Sequence, residues 1–208
     1  MHRVTAIAPA KAILLGEHAV NQGQAALAVS IGLYTSCHIT VNAHTGNAAA
    51  IRLISGSRTE TTQQQAIRTL GHMIDAYRAD GNYAAIQHVA GNDFWAPTKY
   101  VLAALDDDLP PLNIEFTSNI PQSAGLGSGG ASFVALAAGV AQLLEYNGGA
   151  KEIAAWAHRG DLVAHGGVAS GLDTQTSLFG GAIRYTAAAQ GEPIPYASSL
   201  ALVIGNTG

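Results

Sequence analysis

Charge is scarce in this chain: ten Lys and Arg and fourteen Asp and Glu among 208 residues leave a formal charge of -4. With no basic run there is no electrostatic footprint for nucleic acid or an anionic membrane, so neither is an expected partner. A single cysteine, Cys37, cannot form an internal disulfide. In the strand-like stretch 34–41 it reads as a small buried hydrophobe rather than a redox group. No apolar run reaches membrane-spanning length, and Met1-His2-Arg3-Val4 enters a strand without a signal-peptide pattern, so a cytoplasmic location is expected. The eight histidines are scattered; His158 and His165 lie seven apart with no companion Cys, which suits no structural zinc.

What is abundant is apolar: 48% hydrophobic residues and 24 glycines support a packed globular core. Short β-branched or alternating runs at 4–7, 13–15, 36–41, 51–54, 112–116 and 201–204 predict strands. Apolar residues at three- and four-residue spacing predict helices over 62–77, 96–105, 131–146 and 151–163. The class is α+β, or mixed α/β. Breaks at 42–47, 106–111, 147–149 and 190–195 read as loops, none long enough for an interdomain linker.

Between the predicted strand 112–116 and helix 131–146 lies Pro121-Gln122-Ser123-Ala124-Gly125-Leu126-Gly127-Ser128-Gly129-Gly130-Ala131-Ser132. Strand, glycine loop and helix is the order a phosphate cradle needs. Glycines let backbone N–H groups turn inward, and a helix N-terminus adds about half a positive charge, so an anion is favoured there. No Gly-Lys-Ser/Thr follows at Walker spacing, and the mid-chain position is not that of a dinucleotide fingerprint.

Two further segments stand out. Pro9-Ala10-Lys11-Ala12-Ile13-Leu14-Leu15-Gly16-Glu17-His18-Ala19-Val20 sets one of only three lysines in an apolar strand, either facing solvent or buried against a carboxylate; the pattern does not choose. His165-Gly166-Gly167-Val168-Ala169-Ser170-Gly171-Leu172-Asp173-Thr174 follows a predicted helix, and Asp173 reads either as the cap of a short helix or as a functional carboxylate. Asp161, inside the preceding helix, reads as a solvated carboxylate.

All three segments resemble the galactokinase, homoserine kinase, mevalonate kinase and phosphomevalonate kinase (GHMP) superfamily. Pro121 with Gly125-Leu126-Gly127-Ser128 is similar to its P-x-x-x-G-L-G-S-S-A loop, and residues 9–20 are similar to P-x-K-x-x-L-x-G-E-H-A-V. Residues 165–173 look like H-G-x-x-S-G-x-D, one residue longer here. The Ala19-Val20 continuation points within the superfamily to the mevalonate kinases.

The resemblance implies the family's N-terminal domain, of the ribosomal protein S5 domain 2-like fold, over 1–198, with 199–208 beginning a largely absent C-terminal domain. It implies Asp173 as base with Lys11 as its cationic partner. It implies ATP held by Ser118, Pro121, Ser123, Ala124, Gly125, Leu126, Gly127, Ser128, Gly129 and Gly130, with Glu17, His18, Ser170 and Thr207 toward the substrate and magnesium at Ser128 and Asp161. The chain departs from the pattern at Gly129, where a second serine is usual, and at Asp161, where glutamate is usual. The implied reaction is ATP-dependent phosphorylation of mevalonate; a sugar or other small alcohol as acceptor, or an inactive nucleotide-binding module, remain the alternatives. A homodimer is left open.

Overall fold

The computed structural model describes residues 3–42, 50–105, 108–196 and 201–205. A long strand, β2 (Ala26–Val41), is the spine of a seven-stranded sheet. One edge of β2 pairs along nearly its whole length with antiparallel β1 (Arg3–Leu15). The other edge is shared: Thr35 to Val41 pair with β5 (Leu112–Ser118), and Ala26 to Val29 pair with β6 (Ala182–Thr186). Beyond β5 lie β3 (Ala50–Ser55), its parallel partner, and β4 (Arg58–Gln63); beyond β6 lies β7 (Gln190–Ile194).

The described residues also form six α-helices: α1 (Gln64–Ala79), α2 (Tyr83–Asn92), α3 (Ala96–Leu102), α4 (Ser128–Leu143), α5 (Ala150–Ala164) and α6 (Leu172–Phe179). The centre of the helical layer is α4, which lies on β1 and β2 and is flanked by α5 and α6. A helix covered on so many sides must be apolar all round, and Phe133, Val134, Leu136 and Val140 are all buried. Two glycines allow the close approach. A Cβ on Gly139 would stand 2.8 Å from Ile39 Cδ1 on the sheet. One on Gly160 of α5 would stand 2.6 Å from Phe133 Cγ and 2.8 Å from Val101 Cγ2.

The α+β class is as expected, and several boundaries are corrected. The runs at 4–7 and 13–15 belong to one continuous β1, whose register shifts between Pro9 and Ala10. Thr62 and Gln63 end a strand instead of opening a helix, because the polar run from Arg58 pairs with β3 as a sheet edge. The expected loop at 190–195 is mostly β7, held against β6. Residues 201–204, expected to be a strand, carry no regular structure. The expected domain boundary at 198/199 lies outside the described residues.

Beneath the helices, two polar clusters tie elements together. Lys99 Nζ meets Asp93 at 2.8 Å and Glu60 at 2.5 Å, joining α3 to β4. The Arg159 guanidinium stacks over the Tyr100 ring at 3.8 Å and reaches Asp75 at 3.1 Å, joining α5, α3 and α1.

Gly160→Ala should destabilise the fold by about 1–3 kcal/mol, the overpacking range, even though alanine is the better helix former by about 1 kcal/mol. Urea unfolding measures it; a stabilised variant would show that Phe133 and Val101 yield freely.

Candidate active site

The site forms where β1, the loop before α4 and the start of α6 converge. Lys11 projects from β1 and is only 5% exposed; its backbone N–H donates to the Leu126 carbonyl at 2.9 Å, stitching the glycine loop to the strand. Its Nζ lies 3.1 Å from Asp173 Oδ1. Of the two readings of Lys11, the buried, paired one is therefore observed. Asp173 is not a cap: Gly171 caps α6 in the left-handed conformation, and Asp173 sits in the first turn of the helix.

The glycines of the loop have two different causes. Gly125 (φ +70°) and Gly127 (φ +71°) require the left-handed region, as the tight turn predicts. Gly127 and Gly130 also make room for the ion pair. A Cβ on Gly127 would lie 2.7 Å from Lys11 Cγ, and one on Gly130 would lie 3.0 Å from Asp173 Cβ. Gly129 differs, since a Cβ there would meet only the Phe133 ring at 3.5 Å, an ordinary contact.

Burial pushes the Asp173 carboxyl above its usual range; Lys11 opposes this, and the nearby Asp161 carboxylate adds to it. Asp161 is 2% exposed on α5. Its neighbour one turn on, His165, is pushed up to about 9 by the Asp161 side chain, against the effect of burial. The imidazole Nδ1 lies 2.9 Å from the Asp161 backbone carbonyl and 3.2 Å from Oδ1. It is aimed at the carbonyl, so its approach to Oδ1 is an electrostatic contact, and that buried oxygen lacks a directed hydrogen bond.

These groups face a cavity of about 400 Å³. Lys11, Glu17, Ser123 through Gly130, Asp161, Ser170 and Asp173 line it, so most of the residues expected from sequence share one space. His18 does not: it is exposed and precedes a 3-10 turn (Ala19–Gln22). Ser118 and Pro121 also stand outside it. Ser118 Oγ accepts from Thr35 Oγ1 at 2.9 Å and from the Ile120 N–H at 3.2 Å, holding the end of β5. It faces a second cavity on the other flank of the loop, with Arg58, Phe94, Trp95 and Phe116. Thr207 lies outside the described residues. Sequence reasoning did not assign a role to His165; its four-residue spacing from Asp161 at the end of a helix was the available signal.

Among the described residues, no group of three or more His, Cys, Asp and Glu converges to hold a metal ion. No helix among them is long and apolar enough to cross a membrane.

A strand-borne lysine, a carboxylate and a glycine loop at a helix N-terminus meet on this sheet, an arrangement suited to holding an anionic group. Residues 93–181 match the GHMP kinases N terminal domain. The chain's sequence relatives are mevalonate kinases. It is 33% identical to the mevalonate kinase of Pyrococcus horikoshii over 99% of this chain and 57% of the relative. It is 32% identical to that of Bos taurus over 86% of this chain and 52% of the relative. The chain thus spans little more than half the length of these curated relatives. Among solved structures, Methanococcus jannaschii mevalonate kinase superposes with a TM-score of 0.71 at 22% identity, over 94% of this chain and 56% of that one. Lactococcus lactis galactokinase in complex with galactose superposes at 0.70 and 16% identity, over 93% of this chain and 47% of that one. At these identities the likeness is one of fold.

Gly127→Ala should cost roughly 1–2 kcal/mol for the left-handed backbone alone and displace Lys11. Gly129→Ser, which has room, should be neutral or stabilising by up to about 1 kcal/mol. Thermal melts of both variants check this contrast.

Proposed function

We propose that the chain is the nucleotide-binding part of a mevalonate kinase, transferring the γ-phosphoryl group of ATP to the C5 hydroxyl of mevalonate. The observation that carries this reading is the pairing of buried Lys11 with half-buried Asp173, 3.1 Å apart, opposite the first turn of α4. Asp173 accepts the hydroxyl proton as the acceptor oxygen bonds to the γ-phosphorus. The bond from that phosphorus to the oxygen bridging to the β-phosphate breaks, and ADP leaves. Lys11 keeps the carboxylate ionised against the pull of burial and offsets charge on the phosphoryl oxygens. The loop N–H groups and the start of α4 bind the phosphates. The nucleotide base goes to the aromatic cavity of Phe94, Trp95 and Phe116 on the other side of the loop.

Magnesium, when bound, neutralises charge on the phosphates. The Ser128 hydroxyl and the under-satisfied Asp161 carboxylate fit it, since a nucleotide-borne magnesium needs only about one or two protein oxygens. Glu17 and Ser170, on the open side of the cavity, face the acceptor. A second reading keeps the chemistry and changes the acceptor to a sugar or another small alcohol. It is favoured by the extra residue in the segment 165–173, where Val168 and Ala169 form part of the cavity wall.

Calorimetric titration of the chain with ATP and magnesium should show one site, and no binding would sink the reading. Release of ADP with mevalonate, galactose and other alcohols identifies the acceptor; binding without product from any of them leaves a nucleotide-binding module. Asp173→Asn should lower kcat by about 10²-fold or more while nucleotide affinity is kept, and Lys11→Met should act likewise. On the acid side, kcat/KM should fall with a midpoint above the ordinary aspartate value of about 3.9, because the raised pKa of Asp173 lets it take up a proton sooner.

A further inference from the structure

A buried tyrosine that faces neither cavity of the proposed site stands directly behind the catalytic carboxylate. Tyr185 lies on β6 and is 1% exposed. Its hydroxyl donates a hydrogen bond to the backbone carbonyl of Ser170. Ser170 and Gly171 form the turn that launches α6, and Asp173 follows two residues later. Gly171 adopts φ +86°, and a Cβ there would come within 3.2 Å of the Tyr185 hydroxyl and 3.3 Å of His158 Nδ1. The turn therefore lies between a phenol and an imidazole, each close enough that a side chain at Gly171 would need it to give by a few tenths of an ångström.

The groups around the turn suit this role. Burial, with the Asp161 carboxylate, raises the pKa of the Tyr185 phenol, so it remains a donor at neutral pH. Burial lowers that of His158, leaving it a neutral ring against the glycine. On the near side, the Ser170 hydroxyl accepts from the Leu172 N–H at 3.3 Å, and the Thr174 hydroxyl donates to the Gly171 carbonyl at 3.0 Å.

Sheet pairing shows why a residue on β6 can set the position of Asp173 relative to Lys11. Lys11 pairs with Ser30 on β2, and the Ser30 N–H donates to the Gly181 carbonyl at 2.7 Å, just before β6. Lys11 is thus fixed to the sheet through its own strand. Asp173 is carried by α6, whose first residue, Leu172, is buried in one cluster with Ile183 and Tyr185 of β6.

We propose that Tyr185 is a positioning residue: through the Ser170 carbonyl it references the first turn of α6 to the same sheet that carries Lys11, and so sets the Lys11–Asp173 geometry. This rests on the kinase reading above. An error of about 1 Å in the placement of a reacting group can cost on the order of 10²-fold in rate, so one hydroxyl suffices to matter.

Tyr185→Phe keeps the buried ring and removes only the donor. The expected result is a kcat lowered by about tenfold or more with KM for ATP within about twofold, since the phosphate loop is untouched. Gly171→Ala pushes on the same hydroxyl from the other side, and the same split is expected. If Tyr185→Phe does not fold, that variant carries the test. Wild-type kcat in the folded variant, or a lower melting temperature with normal kcat, overturns the proposal. A readout independent of turnover is the carboxyl carbon NMR shift of Asp173, which should move in Tyr185→Phe while those of Asp75 and Asp93 stay. If the wild type shows no turnover with any alcohol but the Asp173 signal moves, the kinase reading falls and the brace stands. If turnover is present and neither kcat nor the signal changes, the brace falls and the kinase reading stands.

Discussion

The structure is organised around an ammonium and a carboxylate paired at the wall of a cavity, the ammonium buried and the carboxylate partly so. A buried charge is costly unless it is paired, and removing either partner leaves the other uncompensated. That constraint explains choices well beyond Lys11 and Asp173. The loop against them favours glycine at 127 and 130, because a Cβ there would crowd the pair, at 2.7 Å from Lys11 Cγ and 3.0 Å from Asp173 Cβ. The strand carrying the lysine must be bound on one edge to β2 and through its own N–H to Leu126, or the cation would swing to solvent.

The same constraint separates residues that look alike in the sequence. Four glycines stand close together in one loop, and only some are required by turn geometry or close packing; Gly129 is required by neither. Two aspartates, twelve residues apart, both face the cavity, yet one is paired with a lysine and the other lies against a histidine. Local environment, rather than residue type, divides the work between them.

The loop and the class of fold were legible locally, through glycine spacing and periodicity, whereas the local pattern left Lys11 and Asp173 each open between two readings and only the family resemblance grouped them with Asp161. The polar strand from Arg58 to Gln63 was not legible, since it carries no apolar residue to alternate and only Thr62 is buried. Residues 201–204 erred the other way: an apolar run reads as a strand, but pairing requires a partner edge, and these residues form none. Likewise Tyr185 looks like ordinary core, and only three-dimensional placement reveals that its hydroxyl meets the Ser170 carbonyl. His18 is the reverse case, prominent in a motif yet outside the cavity its neighbour Glu17 lines.

The parallel pairing of β3 with β5 has a consequence for how such a chain comes to be assembled. Everything from β4 through α3 lies between those two strands, so they can meet only after a long excursion of chain has been closed, whereas the β3–β4 hairpin needs no such wait. Closing a long loop costs entropy before any contact rewards it, and sheets dominated by distant partners fold slowly. During synthesis the hairpin can form early, while the edge of β3 that β5 will later cover stands open, a tempting template for another strand. The polar face of the short β4 helps protect the opposite edge of that hairpin, and the burden of preventing misassembly falls on the prompt arrival of β5.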